Sequence, residues 1–157
     1  MKILFLTIGK TSTPYIAAAT DDFIRRASRY QPVEMVSLPD VKGGKGQTED
    51  QQKQREGQAI LSALQPSDMV VLLDERGRQL TSREFAGEIE RGMNAGLKRM
   101  VFIVGGPYGF SPEVYARANK QLSLSKMTFT HEMVRLFFAE QIYRAMTIMR
   151  GEPYHHD

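Results

Sequence analysis

The chain alternates between two hydrophobic patterns. Five short apolar, partly β-branched runs, residues 3–8, 33–38, 69–73, 100–104 and 122–124, read as buried strands. Between them apolar residues recur at helical spacing behind recognisable start signals. Thr13-Pro14 places a proline where a first helical turn has no bonded N–H to lose, and Ile16, Phe23, Ala27 and Tyr30 follow on one face. Thr48 with Gln51, and Thr81 with Glu84, fit capping boxes, in which two side chains satisfy two orphan backbone donors. The helices they open stop at Pro66 and near Gly96. Ser111-Pro112 opens a short helix, and a last long one spans roughly 132–149. Strands alternating with helices predict an α/β fold on a largely parallel sheet, in one domain of 157 residues.

Such sheets bind ligands beyond the carboxyl ends of their strands. Three segments leave those ends: "LLDERGRQ", "VGGPYGFS" and "LSKMTFTHE". The middle one sets Gly105, Gly106 and Gly109 within five residues of each other. Glycine costs conformational entropy, so its usual reason is an unusual dihedral or a close approach. Spacing leaves both open, a sharp turn or a backbone held against a ligand.

Composition narrows the chemistry. There is no cysteine, which excludes disulfides and thiolate metal sites, and the only histidines are His131, His155 and His156, so a histidine-rich metal site is not expected. No run approaches the ~20 apolar residues of a membrane span. The opening "MKILFLTIGK" before "IAAAT" has some look of a signal peptide, but Lys10 interrupts the apolar stretch; a buried first strand and a cytoplasmic location are expected. A net charge of +3 and a pI near 9.2 favour an anionic partner such as RNA without requiring one. Arg25, Arg26, Lys42, Lys45, Lys53 and Arg55 are candidate phosphate contacts, with solvated surface as the default for each.

Several motifs are absent. The turn after the first strand, "GKTSTP", is no dinucleotide fingerprint, and "VKGGKGQTED" has its glycines and lysines in the wrong order for a phosphate-cradling loop. No serine sits in a nucleophile elbow. The last helix is apolar on more than one face, which calls either for a second copy of the chain or for a place deep in its own core. Glu140 and Arg144, four apart on it, read as a surface ion pair worth about 0.3–0.5 kcal/mol. The tail "GEPYHHD" reads on spacing alone as a frayed end.

Longer segments add a resemblance. "FIVGGPYGFSPEV", "LSLSKMTFTHEMVRLFFAEQIYRAMTI" and the ending "PYHHD", with "MKILFLTIGK" and "VVLLDERGRQLTSREFA", resemble the bacterial ribosomal RNA large-subunit methyltransferase H family over essentially the whole chain. The resemblance implies a SPOUT-class α/β knot: a parallel sheet with helices on both faces and a trefoil knot near the C-terminus. It implies a homodimer that uses S-adenosylmethionine to methylate N3 of a pseudouridine in 23S ribosomal RNA, on the assembled ribosome, without membrane or metal. By the family's pattern the cofactor is held at Leu73, Gly105, Leu124, Ser125, Lys126, Met127, Thr128 and Phe129, with the glycines letting the backbone approach it. The catalytic candidates are His131, Arg144, Tyr154, His155 and His156, with the tail promoted to an active-site element supplied across the dimer. The position after "PYH" is often Arg or Lys in that family; here it is His156, only partly charged near neutrality. A SPOUT transferase acting on transfer RNA and a non-enzymatic ribosome-binding factor remain alternatives.

Overall fold

The computed structural model describes residues 1–41 and 45–157; Lys42 lies outside them. The elements run β1 (Lys2–Ile8), α1 (Pro14–Ser28), β2 (Val33–Leu38), α2 (Glu49–Ala63), β3 (Met69–Gln79), α3 (Ser82–Asn94), β4 (Arg99–Val104), α4 (Pro112–Arg117), β5 (Lys120–Ser123) and α5 (His131–Met149). The strands form one parallel sheet in the order β2-β1-β4-β3-β5. Its inner strands are buried on both faces, so they read as continuous apolar runs rather than alternating ones.

Each face has its own core. On one, Phe5 and Phe102 of the sheet meet Phe85 of α3 and Phe138 of α5, with ring centroids 4.9–5.7 Å apart. On the other, Leu4, Leu6, Val101 and Ile103 pack against Ile60 of α2 and Val114 of α4. Helices therefore cover both faces, as expected. Both capping boxes form, at Thr48–Gln51 and Thr81–Glu84.

One local detail differs from the sequence reading, and two others could not be read from it. β3 continues to Gln79 instead of ending at Leu73: Leu73 and Arg78 both stand opposite Leu122 of β5, so the intervening residues bulge out of the ladder. The "LLDERGRQ" segment is thus partly strand, because a neighbouring strand is there to pair it. Thr13 makes no side-chain cap on α1. The donors there go instead to Glu132 of α5, which accepts from the Ser12 N–H (3.3 Å), the Ser12 hydroxyl (2.7 Å) and the Thr13 N–H (3.0 Å). One turn on, the buried Arg135 donates to the carbonyls of Ile8 (2.8 Å) and Gly9 (2.9 Å) and to the Thr11 hydroxyl (3.1 Å). The start of α5 thereby pins the loop between β1 and α1. The several apolar faces of α5 are used largely within the chain: it packs on α1, α3 and the sheet, with Phe138, Ala139, Ile142, Ala145 and Met146 buried. Phe137 stays 41% exposed, its ring tilted against that of Phe129 with centroids 5.1 Å apart.

Candidate active site

A cavity of about 630 Å³ opens over the carboxyl ends of β3, β4 and β5, within the ~300–1,000 Å³ usual for small-molecule sites. Leu73, Gly105, Leu124, Ser125 and the run from Met127 to Phe129 line it, so seven of the eight candidate cofactor residues converge there. Lys126 does not line it. The turn is built locally: the Ser123 hydroxyl donates to the Ser125 carbonyl (3.0 Å), and the Met127 N–H donates to the Ser125 hydroxyl (3.0 Å). This leaves apolar side chains on the cavity wall and backbone groups at its edge.

The sequence reading missed the acidic side of this cavity. Asp74 and Glu75, which follow Leu73 in the β3 bulge, line it together with Tyr115 of α4. The Tyr115 hydroxyl donates to Asp74, while Arg76 donates to the same hydroxyl at 3.1 Å. Burial first, and the Asp74 carboxylate second, raise the Tyr115 pKa. The signal available in the sequence was the "DER" run at a strand's carboxyl end.

The three glycines have reasons within the protein. Gly109 turns with φ of +81°. A Cβ at Gly105 would meet the Phe110 ring at 3.0 Å, and one at Gly106 would fall 2.4 Å from a carboxylate oxygen of Glu56. The missing side chains make room for the protein's own groups, while the backbone of the same loop lines the cavity.

The catalytic candidates fall in two places. His131, the first residue of α5, lines the cavity. Arg144 lies 13 residues further along the same helix, roughly 20 Å away at ~1.5 Å per residue. There the Glu140–Arg144 pair departs from the surface reading, because its side chains are only 18% and 24% exposed. It is the centre of a network with the tail. Arg144 donates to Glu140 (2.6 Å) and to Nδ1 of His155 (3.1 Å), and its guanidinium lies over the Tyr154 ring (4.8 Å). The Tyr154 hydroxyl donates to Glu140 (2.9 Å). Burial first, then that carboxylate, raise the Tyr154 pKa. An arginine only donates, so His155 Nδ1 accepts and its Nε2 carries the proton facing Asp157 at 2.5 Å. Asp157 also pairs with Arg83. The tail is therefore laid down on α5 rather than frayed, apart from the exposed His156. Arg144, Tyr154, His155 and His156 do not line the cavity of their own chain.

Of the candidate phosphate contacts, Arg25 and Arg26 pair with Asp22, and Lys53 with Asp50, on their own helices. Lys45 and Arg55 are exposed. Among the described residues no group of three acidic, histidine or cysteine side chains could hold a metal ion, and no helix is long and apolar enough to cross a membrane.

A parallel α/β sheet with a cavity at its carboxyl edge matches a known class. The family model described as a predicted SPOUT methyltransferase matches residues 1–155. The fold is also that of the tRNA (m1G37) methyltransferase of Aquifex aeolicus (TM-score 0.54, 14% identity, all of this chain and 76% of that one). A probable methylase family protein of Haemophilus influenzae shares it too (TM-score 0.55, 12% identity, 99% of this chain and 70% of that one). Curated relatives are nearer in sequence. The ribosomal RNA large subunit methyltransferase H of Parabacteroides distasonis is 53% identical, and that of Porphyromonas gingivalis 52%, each over the full length of both chains. The chain belongs to the SPOUT methyltransferases and, within them, to the ribosomal RNA large subunit methyltransferase H family.

Proposed function

We propose that the protein methylates N3 of a pseudouridine in 23S ribosomal RNA of the assembled ribosome, with S-adenosylmethionine as cofactor and a homodimer as the working form. The observation that carries this reading is the convergence of seven of the eight candidate cofactor residues on one cavity at the sheet's carboxyl edge.

The residues present fit that cofactor. Leu73, Leu124, Met127 and Phe129 offer apolar surface for the adenine faces, and the backbone around them offers donors and acceptors for its edge. Glu49, Asp74 and Glu75 line the cavity against the one guanidinium of Arg76, which pairs with Asp74 at 3.7 Å, so the wall keeps a net acidic side suited to a cationic ligand. Bound there, the cofactor supplies an activated methyl group, so the protein has no need to generate an electrophile.

The chain's own task is to align the acceptor and to help an imide nitrogen lose its proton. Arg144 is held by Glu140 and His155 at fixed geometry, which suits it to stabilise the anion that forms. Tyr154 is fixed against the same pair. These groups lie far along α5 from their own cavity, so the reading places them at the cavity of a second copy. His131 stands at the cavity in its own chain. The exposed Phe137, tilted against Phe129 of the cavity wall, suits the seam of that dimer.

The test is transfer of labelled methyl to intact ribosomes lacking the modification, with free 23S RNA and transfer RNA alongside. Label on a pseudouridine of the intact ribosome alone is expected. A chain lacking residues 154–157 is expected to keep its cofactor affinity and lose at least about 10²-fold in transfer, the scale of a lost proton-transfer or anion-stabilising group. Label on transfer RNA, or full activity of the truncated chain, would overturn the assignment.

A further inference from the structure

The tail and the start of α3 meet at one carboxylate. The hydroxyl of Ser82, which opens α3, donates to the Gln141 amide oxygen of α5 (2.7 Å), and the same amide donates to Glu140 (3.0 Å). The two helices are thereby joined beside the Glu140–Arg144 pair. Arg83, the next residue of α3, donates its Nε–H to Oδ2 of Asp157 (2.5 Å). The other oxygen, Oδ1, faces Nε2 of His155, also at 2.5 Å. The bond from Arg83, and to a smaller extent that from His155, lowers the Asp157 pKa, so both oxygens stay acceptors. Arg83 and Asp157 are 58% and 60% exposed, and an ion pair in that setting adds little to stability. The imidazole between Asp157 and Arg144 is enclosed, with only 14% of its side chain exposed.

A neutral imidazole carries one proton on one of two nitrogens. Nδ1 accepts from Arg144, which can only donate, so the proton stands on Nε2 and Asp157 holds it there. Glu140 already gives Arg144 a negative partner. The neutral ring fixes the other end of the guanidinium without adding a second one, so the positive charge stays available to an anion. The opposite tautomer would set N–H against N–H, and Arg144 would keep its Glu140 side alone.

We propose that Arg83 and Asp157 are positioning residues for methyl transfer. Arg83 fixes the Asp157 carboxylate, Asp157 fixes the tautomer of His155, and His155 holds Arg144. This rests on the part given to Arg144 in the reading above. The arrangement makes a sharp demand on Asp157→Asn, which keeps the shape but exchanges one oxygen for an amide nitrogen. Arg83 still needs an oxygen, so the amide nitrogen turns to His155. Nε2 must then accept, and the proton moves to Nδ1, against Arg144. The same exchange beside the histidine of serine proteases slows them through the wrong tautomer. Removing the arginine as well, by adding Arg83→Leu, frees the amide to turn its oxygen to Nε2–H. The second substitution should therefore repair the first, which the loss of a second structural contact would not do.

The test uses the full chain with isotope-labelled histidine. There are three histidines, so the His155 signals are assigned by comparison with His155→Gln. Imidazole nitrogen shifts report which nitrogen carries the proton. Methyl transfer at saturating concentrations of intact ribosomes lacking the modification, calorimetric S-adenosylmethionine affinity and melting temperature are measured alongside. Wild type is expected to carry the proton on Nε2. Asp157→Asn is expected to carry it on Nδ1 and to lose about tenfold in rate, the order of one hydrogen bond. Its melting temperature and cofactor affinity should not change. The double variant is expected to return the proton to Nε2 and recover most of the rate, and Arg83→Leu alone to stay within about threefold of wild type. A proton that stays on Nε2 in Asp157→Asn, a reversed tautomer with an unchanged rate, or a double variant slower than Asp157→Asn overturns the proposal. Wild-type protein that methylates no ribosome would overturn the functional reading instead, while the nitrogen shifts would still show whether Arg83 and Asp157 set the tautomer.

Discussion

Glu132 and Glu56 line a second cavity, of about 700 Å³, over the carboxyl ends of β1, β2 and β4, and both are buried, yet their surroundings are opposite. Glu132 accepts from the Ser12 hydroxyl and from the Ser12 and Thr13 N–H groups. Those bonds, the Ser12 hydroxyl foremost, hold its carboxyl at about 2, against an ordinary 4.5. Burial pushes Glu56 the other way, with Asp40 adding to the rise and the Gln52 amide opposing it. Glu132 is an anchor: its charge completes the start of α1 and ties α5 to the β1–α1 loop. Glu56 has an acceptor position left over. Burial alone therefore does not say what an acid does; the donors that packing brings to it do, and Glu56 Oε1 meets none.

The largest expected effect lies on the anchoring side. Arg135 is 1% exposed and holds the carbonyls of Ile8 and Gly9. Arg135→Met should remove about 3 kcal/mol of stability in urea unfolding, because those carbonyls are left buried without a donor. A variant as stable as wild type would erase the contrast with Glu56→Leu, which is expected to lose none, because an apolar side chain fills the same place without an unfilled acceptor position.

A smaller effect tests whether Glu56 and the glycine turn are coupled. The added methyl of Gly106→Ala would fall 2.4 Å from Glu56 Oε1. Displacing the turn should weaken cofactor binding by about tenfold, the order of one overpacked contact. Adding Glu56→Ala removes the clashing oxygens and should restore most of that affinity. Strict additivity in this double-mutant cycle would separate the two residues.

The smallest effect is in pH dependence, where the two acids should have opposite signs. The folded-state value of Glu132 lies below its ordinary 4.5, so its contribution is complete above 4.5 and is lost as pH falls toward about 2. The raised Glu56 favours the folded state when protonated, so its contribution is lost as pH rises past 4.5. Unfolding measured in pH steps should show Glu132→Gln flattening the acid limb and Glu56→Leu removing the decline above it. Slopes of the same sign for both would contradict these environments.

Much of the scaffold was readable from the residues in order. The strand runs, the two capping boxes and the Ser111 cap depend on interactions within a few positions, and all recur in the structure. The extension of β3 did not, because it needs β5 beside it. The tail misled for a similar reason: "GEPYHHD" is polar and terminal, and only the Arg144–Glu140 pair, ten or more residues upstream, gives it a place to lie. Asp74 and Glu75 passed unremarked because acidic residues after a strand are usually solvated surface.

By itself the sequence determined the α/β alternation, the helix starts and the segments that line the cavity at the sheet's carboxyl edge. Those features follow from periodicity and local hydrogen bonding, which act over a few residues. The tertiary structure alone decided that Glu132 caps a helix 120 positions away in the chain, that Glu56 lies under Gly106, and that two cavities share one glycine wall. It decided them because a carboxylate's role depends on which donors packing brings to it, and packing joins residues that the chain keeps far apart.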